Sequence, residues 1–295
     1  SPYGADACRP RLGLVQQQVG RLGVEPLEGS EETTGKEVEV DRHEDLTDKD
    51  QTIDYPELHT NASDGVTTDE VGKVGETETI VDKVSYGNLV IGDTYTVSGT
   101  LRYQEDCTDV NGISHTAGEE VKDAEGKAYT ASETFTAEEK DGYINLVYHV
   151  NSEALRGISV VVFEDLINNE IKVATHSDLT DNDQRIDYPD IKTEAKDEET
   201  GDNVGRPREE TVIIDTVSYK NLIPGMEYEI VGTLMNQETG EIYLDADGNE
   251  VHGTTGIFTV AEGEENGTKE ITFTFNGSNL KNTTVVVFED LIHNE

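Results

Sequence analysis

The chain has 295 residues, of which 63 are Asp or Glu and 22 are Lys or Arg, for a formal net charge of −41. A nucleic-acid groove or an anionic membrane patch needs the opposite sign, so neither is expected as a partner. Hydrophobic content is only 34%, yet the apolar residues gather in short strand-like runs rather than thinning out as in a disordered chain, and no run is long enough to span a bilayer.

Residues 1–40 carry Arg9, Arg11, Arg21 and a Gln run without strand alternation, and read as an unstructured or foreign leader. Next comes HEDLTDKDQTIDYPEL, His43 to Leu58, which returns as HSDLTDNDQRIDYPDI from His176 to Ile191, an offset of 133. The same offset carries Thr60 onto Thr193, Asp64 onto Asp197 and Asp82 onto Asp215. A further phrase, VVVFEDLI, begins at Val160 and again at Val285, so the later copy is eight residues shorter in its middle. A repeat of this length is a whole domain. The frame gives 41–56 as the closing strand of an upstream unit, 57–191 as one complete unit, and 192–295 as a second that stops before its own closing His–Asp–Gln phrase. The chain therefore reads as a segment of a longer array.

Within a unit the apolar runs are short. Val84, Tyr86 and Leu89 precede Gly92, and Tyr95, Val97 and Leu101 follow it. Glu270 to Phe275 alternates with period two, as a half-buried strand does, while Val160 to Phe163 is a continuous apolar run suited to a strand covered on both sides. Gly, Asn and Asp clusters separate these runs, and no amphipathic helix stands out. The expectation is all-β: tandem immunoglobulin-like β-sandwiches. Cys8 and Cys107 fall at unrelated places in the repeat, so no disulfide framework is expected.

Five residues of the complete unit hold the parts of an acyl-transfer site: Thr60, Glu164, His176, Asp181 and Gln184. An imidazole can take a hydroxyl proton, an acid can orient it, and a side-chain carboxamide can serve as the electrophile. The product would be a Thr60–Gln184 ester with ammonia released, and the fold would supply proximity. Taken singly, each has a plainer reading. Threonine packs well on strands, Asp181 and Gln184 lie in a polar turn, and His176 suits a strand end. Glu164 resists this, because a carboxylate after Val-Val-Val-Phe is drawn inside, where it needs a partner.

The joint pattern of VVVFEDL, H-x-D-x-x-D-x-x-Q, D-x-V-S-Y-x-N-L and a Thr four residues before an Asp resembles the tandem ester-bond domains of Gram-positive surface adhesins, also called VaFE or T-Q ester-bond repeats. The resemblance covers about residues 41–295. It implies Thr60 as nucleophile, Gln184 as acceptor, and Glu164, His176 and Asp181 as the acid/base set, with Thr67 and Thr68 as fallback nucleophiles. His43, Asp48 and Gln51 would be orphans without their Thr, and Thr193 and Glu289 orphans without a downstream Gln. Pairing Thr193 with Gln51 would join different sandwiches. An isopeptide bond is the neighbouring chemistry, but Lys192 and Lys196 match His59 and Ser63 in the other copy, whereas the Thr persists.

The implied function is a structural stalk, self-cross-linked in a single turnover, hence no enzyme in the usual sense and no cofactor. It would be extracellular and attached to the cell wall, with a host surface or matrix ligand gripped by a part outside this chain. Two alternatives stand beside it. The loops that differ between copies could bind a ligand, or calcium could stabilise the repeat. Against calcium, the acidic phrases from Asp48 and Asp245 lack the glycine spacing of an EF-hand, and no metal is assigned.

Overall fold

The computed structural model describes residues 39–294, so the expectation for the leader lies outside the described residues except at its last two positions. Among the described residues, those up to Thr52 and those from Ile53 onward fall into two separate units. In the first, the described residues carry one short 3-10 turn, Lys49–Gln51. The second unit is built from strands.

These run in chain order as β1 (Glu57–Asp64), β2 (Glu78–Gly87), β3 (Thr94–Tyr103), the small hairpin β4 (Cys107–Thr108) and β5 (Ser114–His115), β6 (Thr130–Thr136), β7 (Gly142–Val150), β8 (Ser159–Asn168), β9 (Ile171–His176) and β10 (Arg185–Asp187). The pattern resumes with β11 (Asp190–Asp197), β12 (Thr211–Lys220), β13 (Glu227–Asn236), β14 (His252–Thr254), β15 (Phe258–Thr259), β16 (Gly267–Phe275) and β17 (Val285–Asn294). The first strand after the repeated phrase thus begins at Asp190 and takes in Ile191.

All the strand ladders are antiparallel. One sheet of the first sandwich has the order β1-β2-β7, and the facing sheet has β10-β8-β3-β6 with β9 added to β8. The second sandwich repeats this with β11-β12-β16 facing β14-β13-β15, where β17 joins β13. The corresponding registers agree: Asp82 sits opposite Leu146 and Asp215 opposite Ile271. This is the tandem immunoglobulin-like all-β architecture.

Alternation drives the layering. Along β7, Leu146, Tyr148 and Val150 point inward while Asn145, Val147 and His149 face out. The inward residues of the two sheets, among them Val84, Val97, Leu101, Val160, Val162 and Leu166, form the first core. Val160, Val161 and Val162 are all fully buried, so the continuous apolar run does occupy a strand covered on both faces. The second core gathers Val217, Ile230, Leu234, Ile271 and Phe273 in the same way. The sandwiches differ at one edge. β8 is flanked by β3, β9 and β10, whereas among the described residues β17 pairs only with β13.

Candidate functional site

Strand β1 turns Leu58, Thr60, Ala62 and Asp64 toward the core, which leaves Thr60 8% exposed. Near the end of the repeat in sequence, Asp181 caps the 3-10 turn Asn182–Gln184 by accepting from Asp183 N. That turn swings Gln184 inward, fully buried, just before β10 pairs with β8. Thr60, on β1, and Gln184, at the end of the turn that leads into β10, lie 124 residues apart, yet the Gln184 amide nitrogen donates to Thr60 Oγ1. The same nitrogen donates to Glu164 Oε2 at 2.7 Å. Hydroxyl, carboxamide and buried acid are therefore in one cluster.

The acid has a companion that the sequence reading passed over as a site residue. Asp82, on β2, is completely buried and faces Glu164 from the opposite sheet. Neither Asp82 oxygen meets a donor of ordinary hydrogen-bond geometry. Glu164 is the group placed to supply one, by holding a proton between the two acids. Burial, and then the charge of Asp82, push Glu164 up to about 10. Burial likewise raises Asp82 to about 6, against the opposing pulls of Glu164 and His176. At neutral pH the pair holds one proton and one negative charge.

Tyr148 closes the chamber from β7. Its hydroxyl is buried without a hydrogen-bond partner, and burial followed by the charges of Asp82 and Glu164 drives its pKa upward. The ring reaches this position because Gly99, paired with Glu164 across β3 and β8, has no side chain. A Cβ there would lie 1.8 Å from the tyrosine oxygen.

His176 ends β9 opposite Glu164 in register, and its Nε2 bonds Asp181 Oδ2 at 2.8 Å. Asp181 thus serves two elements, with Oδ1 capping the turn that carries Gln184 and Oδ2 fixing the imidazole. Among the described residues no hydrogen bond joins His176 to Thr60. Thr67 and Thr68 stand apart from the cluster. Thr67 Oγ1 bonds the Val71 carbonyl at 2.7 Å, and Thr68 adopts a positive φ in the same loop.

The earlier copy of the phrase makes the same local structure. His43 Nε2 meets Asp48 Oδ2 at 2.8 Å, Asp48 Oδ1 accepts from Asp50 N at 2.9 Å, and Gln51 is exposed. In the second sandwich Asp215 remains fully buried with neither oxygen partnered, beside a half-buried Glu289. Burial, then the neighbouring Asp215, raises Glu289 to about 7, and Asp215 is also raised, mainly by burial. Thr193 is exposed there, and Phe273 stands where the first sandwich has Tyr148. Among the described residues no group of three or more His, Cys, Asp or Glu side chains is placed to hold a metal ion.

The sequence pattern of the T-Q ester bond containing domain matches residues 25–55, 56–188 and 189–295, which is most of the chain. The chain belongs to the T-Q ester-bond domain family. In the terms of that name, the first copy holds T and Q in contact, while the second has Thr193 with no described glutamine beside it. Similar solved structures include a bacterial adhesin from Mobiluncus mulieris containing intramolecular disulfide, isopeptide and ester bond cross-links. It is 16% identical over 81% of this chain and 76% of that one, with a TM-score of 0.35. A second crystal form of that adhesin is 14% identical over 82% and 100% of the two chains, again with a TM-score of 0.35. Red sea bream transglutaminase is 11% identical over 83% of this chain and 30% of its own, with a TM-score of 0.27. These likenesses are too distant to assign a role to any residue. None of the curated proteins compared with the chain matches it.

Asp82 and Tyr148 are the site residues that sequence reasoning missed. The signal for Asp82 was present, since it recurs as Asp215 and sits at an inward position between Ile80 and Val84. Tyr148 gave none, because its counterpart is a phenylalanine.

Proposed function

We propose that the first T-Q domain closes itself with an ester between Thr60 and Gln184, and that the chain is a stalk segment of a bacterial surface adhesin. The observation that carries this reading is the contact of the Gln184 carboxamide with both the Thr60 hydroxyl and the Glu164 carboxyl. Thr60 Oγ1 attacks Cδ of Gln184, and the carbon–nitrogen bond then breaks. The proton lost by the threonine hydroxyl leaves with the amide nitrogen as ammonia, relayed through the Asp82–Glu164 pair. Glu164, neutral at pH 7, donates to the departing nitrogen, and ionised Asp82 keeps that acid in place. His176, held by Asp181, lies across from Glu164 in the strand register and borders the pair. Each chain reacts once, so the chemistry is self-directed and not enzymatic turnover.

A covalent tie between the first and last strands lets tension enter at β1 and leave beside β10 without loading the strands between. That suits an extracellular, wall-attached stalk whose grip on a host surface or matrix ligand resides elsewhere. Intact mass of the whole chain, read beside the Thr60→Ala form, tests it. The parent should be lighter than its sequence by one ammonia and the variant should not. Full mass in a folded parent sinks the ester reading.

One observation favours the alternative of a ligand-binding module. The extra residues of the first copy build the β4–β5 hairpin, where Tyr103 stacks on His115 at 4.1 Å beside an open cleft of about 920 Å³. Loss of binding to matrix proteins on deleting residues 107–115, with the ester intact, would support it.

A further inference from the structure

The two sandwiches meet at a small joint with its own composition. Val71, in the loop after β1, is 4% exposed and clusters with Tyr219, Leu222, Tyr228 and Val260 of the second sandwich. Beside it, Asp69 Oδ2 lies 2.7 Å from His293 Nε2. The other ring nitrogen of His293 faces the Glu227 carbonyl at 3.2 Å, and the ring tilts against Tyr228 with centroids 5.3 Å apart. Both ring nitrogens thus face oxygen atoms, one of its own sandwich and one of the neighbouring sandwich. A second contact lies across the joint, where Asn221 Nδ2 donates to the Tyr188 carbonyl at 3.1 Å and Ser159 Oγ donates to Asn221 Oδ1 at 3.2 Å. An open cleft of about 500 Å³ runs alongside, with Lys73, Arg156, Asp190, Glu289 and Asp290 as its charged lining.

The repeat frame shows what is special at 293. VVVFEDLINNE and VVVFEDLIHNE align His293 with Asn168. Asn168 Nδ2 donates to the Thr94 carbonyl at 3.1 Å, and Thr94 is the counterpart of Glu227, so that bond is common to both copies. The additional reach to a carboxylate in the neighbouring sandwich belongs to the histidine. The seat, by contrast, is built by its own loop. Asp64 N donates to the Asp69 carbonyl and Val71 N to Asp69 Oδ1, both at 2.8 Å. In the second sandwich Asp197 N donates to the Asp202 carbonyl and Val204 N to Asp202 Oδ1, also both at 2.8 Å. There Val204 is 66% exposed among the described residues, and the loop makes the same two bonds. A seat that does not reshape on docking selects its occupant by complementarity.

We propose that the Asp64–Val71 loop is a preformed docking seat for the second T-Q domain, and that His293 is the residue that locks that domain at a fixed angle. The lock gives the stalk reading its stiffness between domains, but it needs no ester within them. Double electron–electron resonance on the whole chain tests it, with nitroxides at Ser132→Cys and Thr272→Cys and with Cys8 and Cys107 replaced by serine. The parent should give one narrow distance distribution. His293→Asn and Asp69→Asn should each at least double its width, and the double variant should widen it no further than either single one. Asn168→His and Asp202→Asn should leave it unchanged. A parent as broad as its variants, or variants as narrow as the parent, overturns the proposal. Val71→Ser provides a second route to the same loosening. Repeating the measurement on Thr60→Ala separates the two readings, since loss of the ester should not alter the width.

Discussion

Asp82 and Glu164 approach each other from opposite sheets and share one proton at the centre of the first sandwich, sealed from water beside Thr60 and Gln184. Two carboxyls in one dry chamber are costly unless one stays neutral. The arrangement therefore separates a proton donor from a charge holder using two ordinary side chains.

Replacing either acid by its amide removes that division of labour. Asp82→Asn and Glu164→Gln should fold, yet each should slow ester formation by about 100-fold or more, the range over which a positioned acid or base contributes. Time-resolved intact mass after refolding gives the rates. Unchanged kinetics in Asp82→Asn would remove that residue from the chemistry.

The rate should follow a bell in pH. Ionisation of Asp82, raised to about 6, sets the rising limb, and loss of the Glu164 proton, raised to about 10, sets the falling one, the two values belonging to the pair. Stability of the uncross-linked form has its own sign. Both acids bind protons more tightly folded than unfolded, so their contribution is complete below pH 4 and declines with rising pH. For Asp82 the decline ends near 6 and for Glu164 near 10. Melting of Thr60→Ala between pH 5 and 9 should show a falling Tm from this pair.

The proposed ester would close a loop of 124 residues. By the chain-entropy argument for disulfides, such a closure contributes about 5 kcal/mol. Denaturant titration of the parent against Thr60→Ala should show a loss of that order, confined to unfolding of the first sandwich.

Tyr148 and Gly99 should respond in opposite directions. Tyr148→Phe removes a buried hydroxyl that has no partner, and Phe273 fills the same place in the second copy, so a gain of about 1 kcal/mol is expected. Gly99→Ala forces a methyl into the tyrosine oxygen and should cost about 1–3 kcal/mol. Thermal melts of the two variants decide this, and a destabilised Tyr148→Phe would show that the hydroxyl has a partner after all.

Much of this was legible in the residues because the chain states it more than once. The His–Asp–Gln phrase builds the same capped turn at 43–51 and at 176–184, by bonds that reach no more than five residues. Alternation over Glu270–Phe275 foretold β16, and the apolar run from Val160 foretold a doubly covered strand. What could not be read was contact between facing sheets. Asp82 and Glu164 are 82 residues apart, and nothing in either strand names the other. Tyr148 escaped for a related reason, because its position is set by the absence of a side chain at Gly99. The joint at Asp69 and His293 depends on a single Asn-to-His difference between copies, which gains meaning only when a neighbouring loop presents a carboxylate.

Thr60 lies on the first strand of its sandwich and Gln184 beside the last, with the capped turn holding the carboxamide in readiness. During synthesis the threonine emerges long before its partner, and no bond can form until every intervening strand has been made and has found its place. The reaction is in effect an assembly inspection that leaves a permanent stamp. Under the proposed reaction a copy that misfolds would stay unsealed and open to proteases, whereas a finished one would be marked by a single lost molecule of ammonia.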